Sequence, residues 1–114
     1  MNFIPLTEES QLLEIQELSN KPRNHGVLLF KHSYRCGISG FVLNQLKQDW
    51  NFNENDFDIY MIDVLRNRNI SNRIADIYGV RHESPQILLI KHGTCVGNAS
   101  HNEVSINTVN SWVK

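Results

Sequence analysis

The sequence predicts an α/β protein in which a central mixed sheet of four to five strands is flanked by four helices. Three observations lead there. Val27-Leu28-Leu29-Phe30-Lys31 and Gln86-Ile87-Leu88-Leu89-Ile90-Lys91 are near-continuous apolar runs, as expected of strands buried on both faces. The segment after the first run carries apolar residues at helical spacing. The second run is followed by His92-Gly93, a junction short enough to fold the chain back as a hairpin.

Taken in order, Thr7-Glu8-Glu9 followed by Leu12, Leu13, Ile15 and Leu18 predicts a capped helix with acidic residues in its first turn, ending near Asn20 ahead of Pro22. Asn24-His25-Gly26 is a turn into the first strand. From Gly37 to Trp50, the spacing of Ile38, Phe41, Val42, Leu46 and Trp50 gives a helix of about three turns. Asn51 to Asp56 breaks it. Phe57, Ile59, Met61 and Val64 mark a second strand, which gives way at Asp63 to Arg66-Asn67-Arg68-Asn69; strand, helix and strand form a right-handed βαβ unit.

Ile70, Ile74, Ile77 and Tyr78 mark another helix, starting at Asn69 or Ser71 and closed by Gly79. Val80 to Pro85 connects it to the third strand, Gln86 to Lys91. This pairs through the hairpin with Thr94 to Gly97. Val104, Ile106, Val109, Trp112 and Val113 form a closing helix capped by Ser100 or Asn102, and residues 2–4 are the candidate fifth strand. A parallel βαβ half joined to an antiparallel hairpin half is the thioredoxin-like arrangement.

A chain of 114 residues supports a single domain, residues 1–114. Acidic and basic residues nearly balance, 12 against 11, so the basic footprint of a nucleic-acid partner is missing. No apolar run reaches the roughly 18 residues of a membrane span, and the expectation is a cytoplasmic protein without a membrane partner. Cys36 and Cys95 make neither a disulfide framework nor a metal-ligand spacing, so no metal site is expected.

Cys36 is the candidate catalytic residue. It stands between the first strand and the helix that follows, where unpaired N–H groups and the positive end of the helix dipole favour thiolate over thiol. Arg35, adjacent, and Lys31 are the nearby positive charges, and Tyr34, Arg35 and Gly37 flank the sulfur as substrate contacts. Cys36-Gly37-Ile38-Ser39 keeps the spacing of a dithiol motif but ends in serine. A hydroxyl cannot resolve a mixed disulfide, so Cys36 acts by a monothiol route and waits for an external thiol. Ser39 is expected to donate a hydrogen bond to the Cys36 thiolate or to serve simply as a polar residue of the first helical turn.

In this topology Ser84-Pro85 faces Cys36. A cis bond there would leave the Ser84 backbone free to pair with an extended thiol substrate; the alternative is an ordinary trans proline at a strand edge. Cys95 lies at the far end of the third strand, about 20 Å away and beyond bridging distance of roughly 7 Å, which makes it a half-buried strand residue. Ser100 and His101, with Asn102, introduce the last helix, whose N–H groups would hold a substrate carboxylate or merely be capped. His25, His32, His82 and His92 show no metal-ligand pattern and read as surface or turn residues.

Over nearly its whole length the chain resembles the monothiol bacilliredoxins of the bacillithiol system. The likeness lies in Phe30-Lys31-His32-Ser33, Arg35-Cys36, Ile38-Ser39, Asp63-Val64, Ser71-Asn72, Ser100-His101 and, most specifically, Gly79-Val80-Arg81-His82-Glu83-Ser84-Pro85-Gln86. The resemblance implies a thioredoxin fold, removal of bacillithiol from S-thiolated proteins with Cys36 as the attacking thiol, and Pro85 as the cis proline. It implies no tightly bound cofactor, with bacillithiol as the co-substrate; from the chemistry of that thiol, whose malate carries two carboxylates, we expect Arg35 and the N-terminus of the last helix to be the anion donors. The partners are then S-thiolated proteins and a low-molecular-weight thiol, with the protein a monomer or weak dimer. The family usually has threonine and proline where this chain has Tyr34 and Gly37. Cys-Gly-Ile-Ser is also one residue from the Cys-Gly-Phe-Ser of monothiol glutaredoxins. Glutathione, with or without a [2Fe–2S] cluster, is therefore the alternative small thiol. Glu83-Ser84-Pro85 and Gly97-Asn98-Ala99 depart from the glutaredoxin pattern.

Overall fold

The computed structural model describes residues 1–22 and 24–113; the expected domain of residues 1–114 includes Arg23 and Lys114, which lie outside the described residues. Five strands form one sheet: β1 (Ile4–Pro5), β2 (Val27–His32), β3 (Asp58–Asp63), β4 (Gln86–Lys91) and β5 (Thr94–Ser100), in the order β1-β3-β2-β4-β5. β1 and β2 run parallel to β3, while β4 is antiparallel to both β2 and β5. The helices are α1 (Ser10–Leu18), α2 (Gly37–Asp49), α3 (Arg68–Tyr78) and α4 (Ile106–Trp112), with a 3₁₀ turn at His101–Glu103. The thioredoxin-like α/β arrangement expected from the element order is the one observed.

Strand alternation divides the core into two layers. Val27 and Leu29 of β2 pack with Leu12 and Ile15 of α1 and Ile70 and Ile74 of α3. Leu28 and Phe30 face the other way, against Val42, Leu43 and Leu46 of α2 and Val109 of α4. All six residues of β2 are buried, as a central strand covered on both faces requires. Two of them, Lys31 and His32, are polar, and they end the strand just before Cys36.

The local boundaries differ from the sequence reading in ways that have physical causes. α1 begins at Ser10, so Glu8 and Glu9 precede its first turn; the side-chain Oε1 of Gln11 instead accepts from the backbone N–H groups of Thr7 and Glu8. α3 begins at Arg68 behind Asn67, which puts Ser71 inside the helix and fully buried rather than at its start. Gly79 closes α3 in the left-handed conformation, φ 66°, as predicted. β5 continues to Ser100, past a register shift at Leu89/Ile90, and the closing helix starts only at Ile106, where Ser105 Oγ accepts from Thr108 N. The extra ladder pairs, Gln86 with Ser100 and Ile87 with Ala99, hold those residues in the strand.

Candidate active site

Cys36 is the N-cap of α2, with extended backbone angles (φ −99°, ψ 115°), and its residue is partly exposed. Its N–H donates to the Ser33 carbonyl at 3.1 Å, and its own carbonyl accepts from Gly40 N at 3.2 Å. These two bonds hold the turn from β2 into α2, so the sulfur-bearing residue sits at the end of a helix whose first N–H groups have no partner within the helix. Tyr34, Arg35 and Gly37 are exposed around it. Tyr34 lies edge-on to His32 with ring centroids 4.3 Å apart, and its hydroxyl reaches Met61 Sδ at 3.5 Å.

Ser39 does not serve Cys36. Its side chain is fully buried, and Oγ stands 2.6 Å from His32 Nδ1 while accepting the Ser33 N–H at 3.2 Å. The helical rotation from the N-cap carries residue 39 towards the sheet, where His32 on the α2 side of β2 meets it. With the Ser33 N–H occupying one Oγ lone pair, the hydroxyl can donate its proton to His32 Nδ1, an arrangement that takes the imidazole neutral with its own proton on Nε2. Burial, opposed by Asp63 and aided by Lys47, holds the pKa of His32 below its ordinary value.

Lys31 does not serve Cys36 either. It points into the α1/α3 layer, fully enclosed, with Nζ 3.1 Å from the Ser71 carbonyl and 3.5 Å from His82 Nδ1. Two other cations flank the clefts on this side of the molecule: Arg35, next to Cys36 in sequence, and Arg66. Both line a cleft of about 520 Å³ with Tyr34, Asp63 and Leu65, and Arg66, Tyr34 and Asp63 also line a second cleft of about 720 Å³ that runs over Met61 towards Lys47. Asp63 Oδ1 accepts from the N–H groups of Leu65 and Arg66, at 3.0 and 3.3 Å, and so fixes the turn that presents Arg66.

The Ser84–Pro85 bond is cis. Gln86 pairs with Lys31 across the sheet, which sets Pro85 beside the end of β2 and on the flank of the Cys36 turn. Ser100 and His101 brace this segment rather than opening the last helix: Ser100 Oγ accepts from Gln86 Nε2 at 3.1 Å, His101 N donates to the Pro85 carbonyl at 2.8 Å, and His101 Nε2 meets Glu83 Oε2 at 2.9 Å. The hydrogen bond to His101 is the main reason that the Glu83 carboxyl titrates below its ordinary range. Ser100, His101 and Asn102 therefore do not introduce the last helix, which begins at Ile106 with Ser105 as its cap.

Cys95 is half-buried on β5, its thiol directed to the Gly97 carbonyl at 3.2 Å and its pKa raised chiefly by burial. Among the described residues, no group of three or more His, Cys, Asp or Glu side chains is placed to hold a metal ion. No helix among the described residues is long and apolar enough to cross a membrane. His32, His82 and the role of Lys31 were not visible as site features in the sequence. The available signal was two polar residues closing a strand that is otherwise apolar on both faces.

A cysteine capping the helix after the first central strand, with a cis proline entering the antiparallel neighbour, defines a thioredoxin-fold protein. The known structures agree. A thioredoxin-fold protein described as an oxidoreductase superposes with a TM-score of 0.80 at 29% identity, covering 97% of this chain and 93% of that one. The thioredoxins of Malassezia sympodialis (TM-score 0.71, 10% identity, 98% and 88% covered) and Trypanosoma brucei brucei (0.72, 12%, 97% and 87%) share the fold. More narrowly, residues 4–109 match the family Monothiol bacilliredoxin BrxC, and the chain belongs to that family. A thiol redox role goes with the membership.

Proposed function

We propose that the protein is a monothiol thiol–disulfide oxidoreductase that removes bacillithiol from S-bacillithiolated proteins in the reducing cytoplasm, using bacillithiol as co-substrate and no tightly bound cofactor. The observation that carries this reading is the partly exposed Cys36 at the N-cap of α2 in a motif whose fourth residue, Ser39, is turned into the core. Only one sulfur of the motif is offered to a substrate.

The Cys36 thiolate attacks the bacillithiol sulfur of the mixed disulfide. An S–S bond forms between Cys36 and bacillithiol while the bond to the protein breaks, and the protein thiolate leaves with the electron pair and takes a proton from solvent. A second bacillithiol thiolate then attacks the bound sulfur, giving bacillithiol disulfide and regenerating Cys36. Arg35, next to Cys36 in sequence, and Arg66 line one cleft and would supply cationic donors to the malyl carboxylates of bacillithiol. Tyr34, Ile38, Phe41 and Leu65, each more than half exposed, present apolar surface around the cysteine to the protein half of the substrate.

The test is to incubate the reduced protein with an S-bacillithiolated substrate. Mass spectrometry should find bacillithiol on Cys36 and free thiol on the substrate, and Cys36→Ser should abolish both. Arg66→Gln should raise KM about two- to fivefold, the range of an exposed ion pair, with kcat little changed. Equal rates on S-glutathionylated substrate would refute the bacillithiol preference, and a visible chromophore that needs Cys36 after anaerobic iron–sulfur reconstitution would favour the cluster-carrier alternative.

A further inference from the structure

Lys31 is a buried ammonium with no acidic partner among the described residues. Its hydrogen-bond partners are the Ser71 carbonyl in α3, at 3.1 Å, and at the long end of the range His82 Nδ1, at 3.5 Å. Ser71 Oγ also lies 2.9 Å from the same Nδ1. An ammonium has protons to donate and no acceptor, so a hydrogen bond between the two requires Nδ1 to be the unprotonated nitrogen of the imidazole. Three elements therefore meet at one amine: the strand that leads into Cys36, the first turns of α3, and the segment between Gly79 and Pro85.

That segment is held from two sides. The outer side is the exposed Glu83–His101 pair. The inner side is the Lys31–Ser71–His82 group, closed off from solvent at Lys31 and Ser71. A buried charge without a counter-ion costs stability, so its geometry is enforced by the packing around it.

We propose that Lys31 is a positioning residue for the thiol exchange at Cys36: acting through His82, it fixes the segment that carries Pro85 against the end of β2. The groups that face His82 are Lys31, Arg68, Glu83 and Ser71. Burial, Lys31 and Arg68 hold the His82 pKa below its ordinary value against the opposing charge of Glu83. Burial and then Arg68 bring Lys31 down to about 8, which leaves it charged at neutral pH.

The kinetic consequence rests on the exchange reading of Cys36; the titration consequence does not. His82 is partly exposed, so His82→Ala and His82→Asn should both fold. His82→Ala should raise KM for the thiolated protein about fivefold or more with kcat within about twofold, because the segment beside the substrate loosens while the sulfur is untouched. His82→Asn should return KM to within about twofold of the native value, since an amide oxygen replaces Nδ1 as acceptor. Independently, ring-nitrogen NMR should show His82 Nδ1 unprotonated at neutral pH, and Lys31→Met should move the His82 titration to higher pH. Native KM in His82→Ala, or a His82 titration unmoved by Lys31→Met, would overturn the proposal. If the native protein formed no adduct at Cys36, the exchange reading would fall and the titration alone would decide the role of Lys31.

Discussion

Ser39→Ala separates two roles for the serine of the Cys-x-x-Ser motif. Its Oγ accepts the Ser33 N–H and bonds His32 Nδ1 at 2.6 Å, and Ser39 is fully buried with His32 nearly so. Removing it strands one backbone donor and one imidazole nitrogen in the interior, each worth about 1–3 kcal/mol when left unpaired. Some relief comes from rotation of the imidazole, which leaves an expected loss of about 2–4 kcal/mol. Against a total of about 5–15 kcal/mol, the variant still folds. In urea, at about 1–3 kcal/mol per molar, the midpoint should fall by about 1–2 M with the slope unchanged. The rate of Cys36 alkylation at neutral pH should change by less than about threefold, since no bond from Ser39 reaches the sulfur. A serine that instead stabilised the thiolate would give the opposite pattern, with alkylation slowed tenfold or more and the midpoint nearly native. That outcome would refute the placement of Ser39.

Gly37→Pro should stabilise the fold by about 0.4–1 kcal/mol, read as a rise in melting temperature of a few degrees. Gly37 is the first residue of α2, a Cβ there meets nothing within 4 Å, and Cys36 already has the extended angles that a following proline demands. Gly97→Ala should cost about 1–3 kcal/mol and shift tryptophan emission, because a Cβ at Gly97 would lie 2.5–2.7 Å from the Trp112 ring and push α4 off β5. Stability should rise with pH between about 8 and 10, where the unfolded chain still binds the Lys31 proton that the folded protein has released. It should then fall above about 10, where the unfolded chain loses the phenolic protons that folding retains on Tyr60 and on Tyr78, the latter pushed up to about 12. Denaturant midpoints across this range check both limbs, and Lys31→Met should flatten the rising one.

The architecture was legible because its signals are local and redundant. The apolar runs at 27–31 and 86–91 cannot be solvated strands, and His92-Gly93 leaves room only for a tight reversal, which both residues make with positive φ, 52° and 76°. The proline beside Cys36 was legible through topology. The end of β5 was not, because Asn98-Ala99-Ser100 has the composition of a helix cap and becomes strand only by pairing with Gln86 and Ile87. Ser39 as a donor to the thiolate and Lys31 as a charge beside the sulfur are not what the side chains do, for a related reason: proximity in sequence suggested proximity to the sulfur, whereas side-chain direction is set by the pleat of β2 and the rotation of α2.

That pleat also explains why two successive polar residues close a buried strand. Lys31 and His32 point to opposite faces, so Lys31 reaches α3 and the Pro85 segment while His32 reaches α2. The Cys36 turn emerges between them, and each face of the sheet contributes one anchor: His82 on one side, Ser39 on the other. Neither residue can be exchanged for its neighbour. An ammonium in place of His32 has no lone pair to accept the Ser39 hydroxyl, and an imidazole in place of Lys31 is too short to reach both Ser71 and His82. Swapping the two should therefore destabilise the protein by more than either Lys31→Met or His32→Phe alone, although composition, charge and strand propensity are unchanged. A swap that cost no more than the single changes would mean that the strand end needs polarity there and not these particular bonds.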